Sequence, residues 1–287
     1  MKLGQTTPAP CDNKHMKFSN QHSDASDQFA GINHAQYREV SKKLELTSIK
    51  NCRDLGGITT TDGHIVKSGM LLRSANLHHA SDEDLVTLKT IGVQNIIDLR
   101  TRQEREAERD RLLSTWDLYE IPGFTERREL IAQLRGVIFK PGSFICSLYE
   151  QLLNSEESQT CWTEIMNLLV NKPGSYLFHC TQGKDRTGIA AALILAALGV
   201  DDQTIRDDYL QTNLYMDRQT PVMLERAQKY LPKHIHIDIE QFLVAAPVYF
   251  DTMMQTAEPY GGLLGYLQGP IGLTDDDIAT LRKTYLE

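Results

Sequence analysis

The sequence predicts an α/β protein in which a mostly parallel central sheet is flanked by helices, with a helical C-terminal extension. Two observations support this fold class. From Thr47 onward, short apolar runs alternate with stretches of helical periodicity, which is the pattern of successive βαβ units. After Asp201 the apolar residues recur at helical intervals, and Pro221, Pro232 and Pro247 divide that region into several short helices.

Four strands and four helices are predicted in the α/β region. The strands are the short apolar runs at residues 70–73, 95–99, 118–121 and 176–179. The helices are the stretches at residues 81–90, 102–113, 144–171 and 187–198. Ser81 is the expected N-cap of the first helix, Ser155 marks a break in the third, and Gly199 ends the fourth. The extension has helical spacing at residues 201–215, 222–230 and 237–254.

One domain behind a flexible arm is the predicted organisation. Residues 1–45 are polar and contain Pro8 and Pro10, a composition typical of an arm that ends in a short helical or strand segment. No Gly/Ser-rich or Pro-rich linker interrupts residues 46–287, so this part is interpreted as a single domain.

Charge and hydropathy exclude several classes of protein. The 30 basic and 38 acidic residues give a net charge of −8, which argues against a broad electrostatic surface for nucleic acid or anionic lipid. The longest apolar run, residues 189–200, is shorter than the ~20 residues that cross a bilayer. The N-terminus lacks the apolar stretch of a signal peptide. We therefore expect a cytoplasmic protein, or a secreted one if an unseen leader has been removed.

Neither a metal nor another cofactor is expected. The 5 cysteines include no CxxC pair, which argues against a disulfide framework and against a zinc cluster. The histidine pairs at residues 78–79 and 234–236 have no carboxylate or cysteine partners at ligand spacing. Free thiols are therefore predicted, one of which can be reactive.

The segment that indicates chemistry is the loop between the predicted strand 176–179 and the predicted helix 187–198. Cys180 ends the strand, and Arg186 follows six positions later. The residues between them are Thr181, Gln182, Gly183, Lys184 and Asp185. A loop of this length can curl so that its N–H groups point inward, while the helix N-terminus faces the same place. The pattern predicts a cradle for a tetrahedral dianion.

The residue types in this loop fit the cleavage of a phosphate ester. A thiol at a helix N-terminus beside an arginine is stabilised as the nucleophilic thiolate, which favours Cys180 as the nucleophile. Arg186 offers a planar fork for two phosphate oxygens. Attack on phosphorus would give a phosphocysteine. The hydroxyl of Thr187 could then donate to the sulfur and make it a better leaving group.

Several segments resemble one enzyme superfamily. The run from His179 to Gly188, HCTQGKDRTG, is similar to the Cys-x5-Arg loop of cysteine-dependent protein tyrosine phosphatases, and more narrowly to atypical bacterial members that also act on phosphoinositides. Further similar segments are NCRDLGG from Asn51, LRSANL from Leu72, DLR from Asp98, DYLQTN from Asp208 and YGGLLGY from Tyr260. The resemblance covers the chain from about Ser48 to its end. It implies a tyrosine phosphatase-like fold and a phosphate monoester hydrolase.

The resemblance also implies roles for individual residues. Classical members take their general acid from a Trp-Pro-Asp tripeptide, which this chain lacks, so Asp185 inside the loop is the expected acid. Lys184 is expected to contact a further phosphate or an inositol ring, and Asp98 to hold Lys184. Arg53 and His179 are expected to support the loop, and residues of about 216–255 to form a helical lid.

Alternatives remain open for the acid and for the lid. Asp117 and Asp110 are the other candidates for the general acid. Asp185 could instead hold the loop by accepting backbone N–H bonds or by pairing with Arg53. The helices of residues 216–255 could equally be packing elements without a role at the site.

Two further side chains near the loop have open roles. His179 either tunes the thiolate through a hydrogen bond or closes the strand. Cys52, where the atypical bacterial group usually has Phe, is either a small buried apolar residue or the partner of Cys180 in a reversible disulfide.

The predicted function is the hydrolysis of phosphotyrosine in proteins and of phosphoinositides, with a phosphate ion as the ligand of the loop. The alternative is a catalytically weak module that binds phosphoproteins or phosphoinositides. Nucleic acid is not an expected partner.

Overall fold

The computed structural model describes residues 38–123, 143–216 and 244–287. Most of the predicted arm 1–45, the predicted helix 222–230 and most of the predicted lid 216–255 lie outside the described residues. At the end of the arm, the backbone N–H groups of Val40 and Ser41 donate to the Gln211 side chain, at 2.9 and 3.1 Å. The last residues of the arm are thus anchored to the domain.

The described residues form a mixed sheet of 6 strands in the order β1-β2-β3-β6-β4-β5. The strands are β1 Lys42–Lys43, β2 Arg53–Asp54, β3 Leu71–Ser74, β4 Asn95–Asp98, β5 Asp117–Glu120 and β6 Tyr176–His179. The pairs β1–β2 and β2–β3 are antiparallel, whereas β3–β6, β6–β4 and β4–β5 are parallel. The predicted α/β class with a mostly parallel sheet is confirmed. Strand β1 lies where the sequence predicted a short helical or strand segment at the end of the arm. Strand β2 was not predicted, because two residues are too few to show an alternating pattern.

Helices cover the sheet and make up most of the C-terminal part. Those in the described residues are α1 Asp82–Ile91, α2 Arg102–Ala107, α3 Ser143–Asn154, α4 Glu156–Asn171, α5 Asp185–Leu198, α6 Asp202–Tyr215, α7 Pro247–Ala257, α8 Gly262–Gln268 and α9 Asp275–Tyr285. Ser81 caps α1 with its side chain, as predicted. The predicted break at Ser155 is the boundary between α3 and α4, where the Ser155 side chain caps α4. Gly199 ends α5 in the left-handed conformation. Within these helices, no segment is both long and apolar enough to cross a membrane.

Helix α2 is shorter than the predicted helix 102–113. Arg100 donates to the carbonyl of Glu108 at 2.7 Å, and the N–H of Leu77 donates to Asp110 at 2.7 Å. These contacts with distant residues draw the chain out of the helix after Ala107. Tertiary structure thus overrides a helical pattern that is read from local sequence.

The centre of the domain is the unit formed by β6, the loop after it and α5. All four residues of β6 are buried, as expected for a strand with parallel neighbours on both sides. Helix α5 is buried from Thr187 to Leu198, which explains its apolar sequence without a membrane role. The loop leaves the carboxyl end of β6 between β3 and β4, where open α/β sheets bind their ligands.

Candidate active site

Cys180 lies between the last residue of β6 and the loop that leads into α5. The residue is 3% exposed, so its sulfur is buried and not on the surface. Helix α5 begins at Asp185, and Lys184 occupies the N-cap position. The lysine ammonium can donate hydrogen bonds but cannot accept one, so it does not cap the helix. The first N–H groups of α5 therefore remain available to an anion.

The loop conformation depends on Gly183. This residue has φ +69°, and a Cβ atom there would lie 2.3 Å from the carbonyl oxygen of Ser74. Side chains fasten the outer face of the loop: Asn51 donates to the carbonyls of Gln182 and Gly183 at 3.1 and 2.9 Å. Arg73 donates to the carbonyl of Gly183 at 3.0 Å. Because carbonyl and N–H point in opposite directions in a peptide, this arrangement turns N–H groups toward the inside of the loop.

Two buried arginines share one carboxylate beneath the loop. Arg53 Nε lies 2.9 Å from Asp208 Oδ1, and Arg73 Nη1 lies 2.5 Å from Asp208 Oδ2. Burial would raise the pKa of Asp208, but the two guanidinium charges lower it to about 2. Burial and the charge of Arg53 lower the pKa of Arg73 to about 10. Arg53 thus supports the loop through Asp208 and Asn51, and its partners do not include Asp185.

Arg186 is held in place by Glu104, a residue that the sequence analysis missed. The two Nη atoms of Arg186 lie 2.7 Å from the two carboxylate oxygens of Glu104. The hydroxyl of Thr181 donates to the same carboxylate at 2.6 Å. Burial would raise the pKa of Glu104, but these donors hold it far below its usual value. The sequence contains a signal for Thr101 and Glu104 as a capping box at the start of α2. It contains no signal that Glu104 pairs with Arg186.

Among the three candidate acids, Asp185 is the one that belongs to the loop itself. It is the first residue of α5, its side chain is 24% exposed, and Lys184 Nζ lies 3.7 Å from its Oδ1. Tyr149 donates its hydroxyl to the same oxygen at 2.9 Å.

The other two candidate acids lie elsewhere. Asp117 is exposed at the first residue of β5 and binds Lys172 at 2.7 Å, at the end of the parallel strands that is opposite to Cys180. Asp110 is buried against His179 and Arg100, with distances of 3.2 and 2.6 Å. Burial would raise the pKa of Asp110, but these two partners lower it.

Asp98 does not have the predicted role of holding Lys184. Its carboxylate accepts from Nε and Nη2 of Arg100 at 2.9 and 2.7 Å, because Arg100 follows by two residues and folds back on it. Lys184 instead forms an ion pair with Asp185. Asp98, Asp110 and His179 together offer metal-ligand types within 4.8 Å, but Arg100 occupies both carboxylates.

His179 precedes Cys180 in the chain, Thr187 lies in the first turn of α5, and both residues are buried. The Nδ1 atom of His179 lies 3.1 Å from the carbonyl oxygen of Cys180, and its Nε2 atom lies 3.2 Å from Asp110 Oδ2, so the ring lies between this carbonyl and Asp110. In the described part of the chain, the Thr187 hydroxyl has no hydrogen-bond partner. The donation of this hydroxyl to the Cys180 sulfur, which is expected when the sulfur leaves phosphorus, therefore stays a prediction.

The structure favours the apolar interpretation of Cys52. This residue is buried in a hydrophobic cluster with Leu72, Leu77 and Leu177. Burial raises the pKa of its thiol to about 12, so little thiolate forms there at neutral pH.

A family model described as the tyrosine phosphatase family matches residues 44–287. The chain belongs to this family. A Cupriavidus necator protein named as a tyrosine-protein phosphatase is 33% identical over 249 residues, which are 85% of this chain and 88% of that protein. A Nostoc commune tyrosine-protein phosphatase is 29% identical over 76% of this chain and 74% of its own length. The triple specificity protein phosphatase PtpB of Mycobacterium tuberculosis is 26% identical over 84% of this chain and 98% of its own length.

Membership of the tyrosine phosphatase family confirms the predicted enzyme class. The matched region begins at residue 44, so it contains the whole Cys180 loop and the residues that hold it, from Asn51 to Asp208. The loop and its supporting contacts therefore belong to the part of the chain that the family shares.

Proposed function

We propose that the protein hydrolyses phosphate monoesters through a phosphocysteine formed on Cys180. The observation that supports this most directly is the convergence on one loop of a buried thiol, an arginine fixed by Glu104 and a helix N-terminus without a side-chain acceptor. These are a nucleophile, a clamp for two phosphate oxygens and a source of N–H donors.

The reaction has two steps. In the first, the Cys180 sulfur attacks phosphorus, the P–O bond to the leaving group breaks, and Asp185 donates its proton to the departing oxygen. In the second, the Asp185 carboxylate takes a proton from water as the water oxygen attacks phosphorus. The S–P bond then breaks, and the hydroxyl of Thr187 stabilises the departing thiolate. Phosphate is the product, and the Cys180 thiolate and the protonated Asp185 are restored.

The proposed substrates are phosphotyrosine in proteins and phosphoinositides. Lys184 adds a positive charge to the loop next to the acid Asp185, where a second phosphate or an inositol ring would need one. The name of the Mycobacterium tuberculosis relative, a triple specificity protein phosphatase, supports a site that takes more than one class of phosphate ester.

Hydrolysis of a small aryl phosphate across pH tests the mechanism. Cys180→Ser should abolish turnover, whereas Cys146→Ser, which alters a half-buried thiol with a pKa raised by burial, should leave it unchanged. Asp185→Asn should remove the basic limb of the pH profile. An active Cys180→Ser variant would disprove the phosphocysteine, and an unchanged Asp185→Asn profile would place the acid elsewhere.

Binding and substrate assays separate the enzyme from a binding module. A Cys180→Ser variant should retain a phosphotyrosine peptide that the wild type releases as product, whereas equal stable retention by both proteins would favour the module. Lys184→Ala should reduce turnover of a phosphoinositide more than turnover of a phosphotyrosine peptide. Equal reduction for both substrates would remove the lipid-specific role of Lys184.

A further inference from the structure

We propose that Tyr149 is a positioning residue for the general acid: its hydroxyl holds Oδ1 of Asp185, so that Oδ2 carries the proton that is transferred. The inference rests on the proposed function, in which Asp185 is the acid. Tyr149 belongs to α3, which precedes the loop by about thirty residues, and no feature of the sequence connected it with the site.

The evidence begins with a directed chain of hydroxyl groups. The Tyr149 oxygen lies 2.9 Å from Asp185 Oδ1 and 2.7 Å from the hydroxyl oxygen of Tyr209. A phenol has one proton to donate, and a carboxylate accepts. Tyr149 therefore donates to Asp185 and accepts from Tyr209, so the chain runs from α6 through α3 to the first residue of α5.

Packing fixes the position of the Tyr149 hydroxyl. The residue is 0% exposed, and its ring stacks on Tyr249 of α7 with centroids 5.8 Å apart. The ring meets Tyr209 edge-on, at 6.1 Å and 89°. Tyr209 in turn lies against Gly188 of α5, where a Cβ atom would be 3.0 Å from its ring. Aromatic residues of α6 and α7 thus hold Tyr149, the donor, and little side-chain entropy remains to be lost in the reaction.

Charges around Asp185 support the assignment of its two oxygens. The groups that face it are Lys184 in the loop, Arg186 on α5, Tyr149 on α3 and Tyr209 on α6. Burial raises the pKa of both tyrosines well above the usual value, so both are neutral donors at neutral pH. The contacts of Tyr149 and Lys184 both reach Oδ1, and in the described part of the chain Oδ2 accepts no hydrogen bond.

This geometry gives the two oxygens separate tasks in both steps. Oδ2 releases its proton to the leaving oxygen in the first step and takes one from water in the second. Oδ1 keeps its hydrogen bond from Tyr149 throughout. An acid that is held at one oxygen does not lose its alignment when the other changes protonation, and alignment within a few tenths of an ångström affects rate strongly.

A leaving-group series tests this role. Esters of good leaving groups, such as p-nitrophenyl phosphate, need little protonation, whereas phenyl phosphate depends on the acid. Tyr149→Phe should lower kcat/KM for phenyl phosphate about tenfold, and for p-nitrophenyl phosphate less than about twofold. Tyr266→Phe is the matched control: it removes another buried hydroxyl, which donates to the carbonyl of Leu153 in α3 at 2.7 Å. It should leave the ratio of the two rates unchanged.

A double-mutant cycle distinguishes positioning from general loosening of the fold. In the Asp185→Asn background, Tyr149→Phe should have no further effect on the leaving-group dependence, because the group that it positions is absent. Additive losses in the cycle, or equal losses for both substrates, would overturn the inference. If Asp185→Asn alone leaves the leaving-group dependence unchanged, the proposed acid fails, and this result is distinct from a failure of Tyr149→Phe.

Discussion

Glu104 shows how a single carboxylate can prepare a clamp before the substrate arrives. It accepts from both Nη atoms of Arg186, from the hydroxyl of Thr181 and from the backbone N–H of Thr101. A free arginine would lose side-chain entropy when it bound phosphate, whereas Arg186 is ordered already. In the proposed mechanism the ion pair acts through this order, since an ion pair with a partly exposed carboxylate adds little stability by itself.

Replacement of Glu104 by glutamine is expected to weaken phosphate binding more than folding. Glutamine retains the capping box with Thr101 but loses the charge that orients Arg186. We expect kcat/KM for an aryl phosphate to fall about ten- to thirtyfold, measured by steady-state kinetics, with Tm nearly unchanged.

The matched control for Glu104→Gln lies two residues away on the same helix. Glu106 forms an exposed pair with Arg102, so Glu106→Gln makes the same chemical change without touching the site. It should leave kcat/KM unchanged. Equal effects of the two variants would show that helix α2, and not the contact with Arg186, determines the loss.

At the scale of elements, the site consists of β6, the loop after it and α5. The conformation of this loop depends on the end of the neighbouring strand β3. Ser74 ends β3 beside the loop, and its carbonyl oxygen leaves no room for a side chain at position 183. The loop can therefore approach β3 this closely only with glycine at position 183. This contact sets the distance between the loop and the sheet.

A Gly183→Ala variant is expected to lose activity through displacement of the loop. The Cβ atom meets Ser74 at 2.3 Å, in addition to the backbone strain of φ +69°. The loop must move by about 1 Å to relieve the contact, and misplacement on this scale costs about a hundredfold in rate. Steady-state kinetics on the folded variant, verified by circular dichroism, measures the loss.

Gly63→Ala separates the strain from the contact. Gly63 has φ +88°, and no atom lies within 4 Å of the place that a Cβ atom would take, so alanine there carries the backbone strain alone. We expect it to lower stability by about 1–2 kcal/mol and to leave kcat unchanged. If Gly183→Ala behaved in the same way, the close approach to Ser74 would have no catalytic importance.

At the scale of the whole molecule, Asp208 joins segments that are distant in sequence. Its carboxylate accepts from Ser41 at the end of the arm, from Arg53 of β2 and from Arg73 of β3, and it belongs to α6. Arg73 continues the network to the loop carbonyl of Gly183. Loss of this carboxylate would leave two buried guanidinium groups without their counter-charge, which is strongly destabilising.

The pKa of Asp208 predicts how stability changes in acid. Its folded pKa of about 2 lies below the ~3.9 of an unfolded aspartate, so ionised Asp208 stabilises the fold. This contribution, about 2.5 kcal/mol, is complete above about pH 5 and is lost as pH falls through 4 toward 2. Urea unfolding of the wild type between pH 7 and 3 should show this decrease.

The comparison between Asp208→Asn and Asp207→Asn isolates the buried group. Asp208→Asn should be less stable at pH 7, with a smaller decrease in unfolding free energy between pH 5 and 3. The neighbouring Asp207 accepts a hydrogen bond from the Gln203 side chain. Asp207→Asn should leave both the stability at pH 7 and its decrease between pH 5 and 3 nearly unchanged. A wild-type stability that does not fall between pH 5 and 3 would contradict the assignment, even if Asp208→Asn did not fold.

Local sequence was sufficient for the features whose cause is local. The period of apolar residues placed the strand 176–179 and the helix 201–215 within a residue of their observed bounds. Ser81 marked the start of α1 as its N-cap, and Ser155 marked the break before α4. The spacing of Cys180 and Arg186 predicted the anion loop and led to the family, because a strand, a short loop and a helix N-terminus are adjacent in the chain. The glycine between them was also part of that local pattern.

Tertiary structure alone decided which distant side chains complete the site. Glu104 and Tyr149 reach the loop from two different helices, Asp208 acts on it through Arg73, and Asp98 binds Arg100 where the resemblance implied Lys184. The physical reason is that a buried charge or hydroxyl takes the partner that the packed chain brings within hydrogen-bond distance. A sequence contains these groups but no distance between them, so their pairing is fixed only when the helices pack on the sheet.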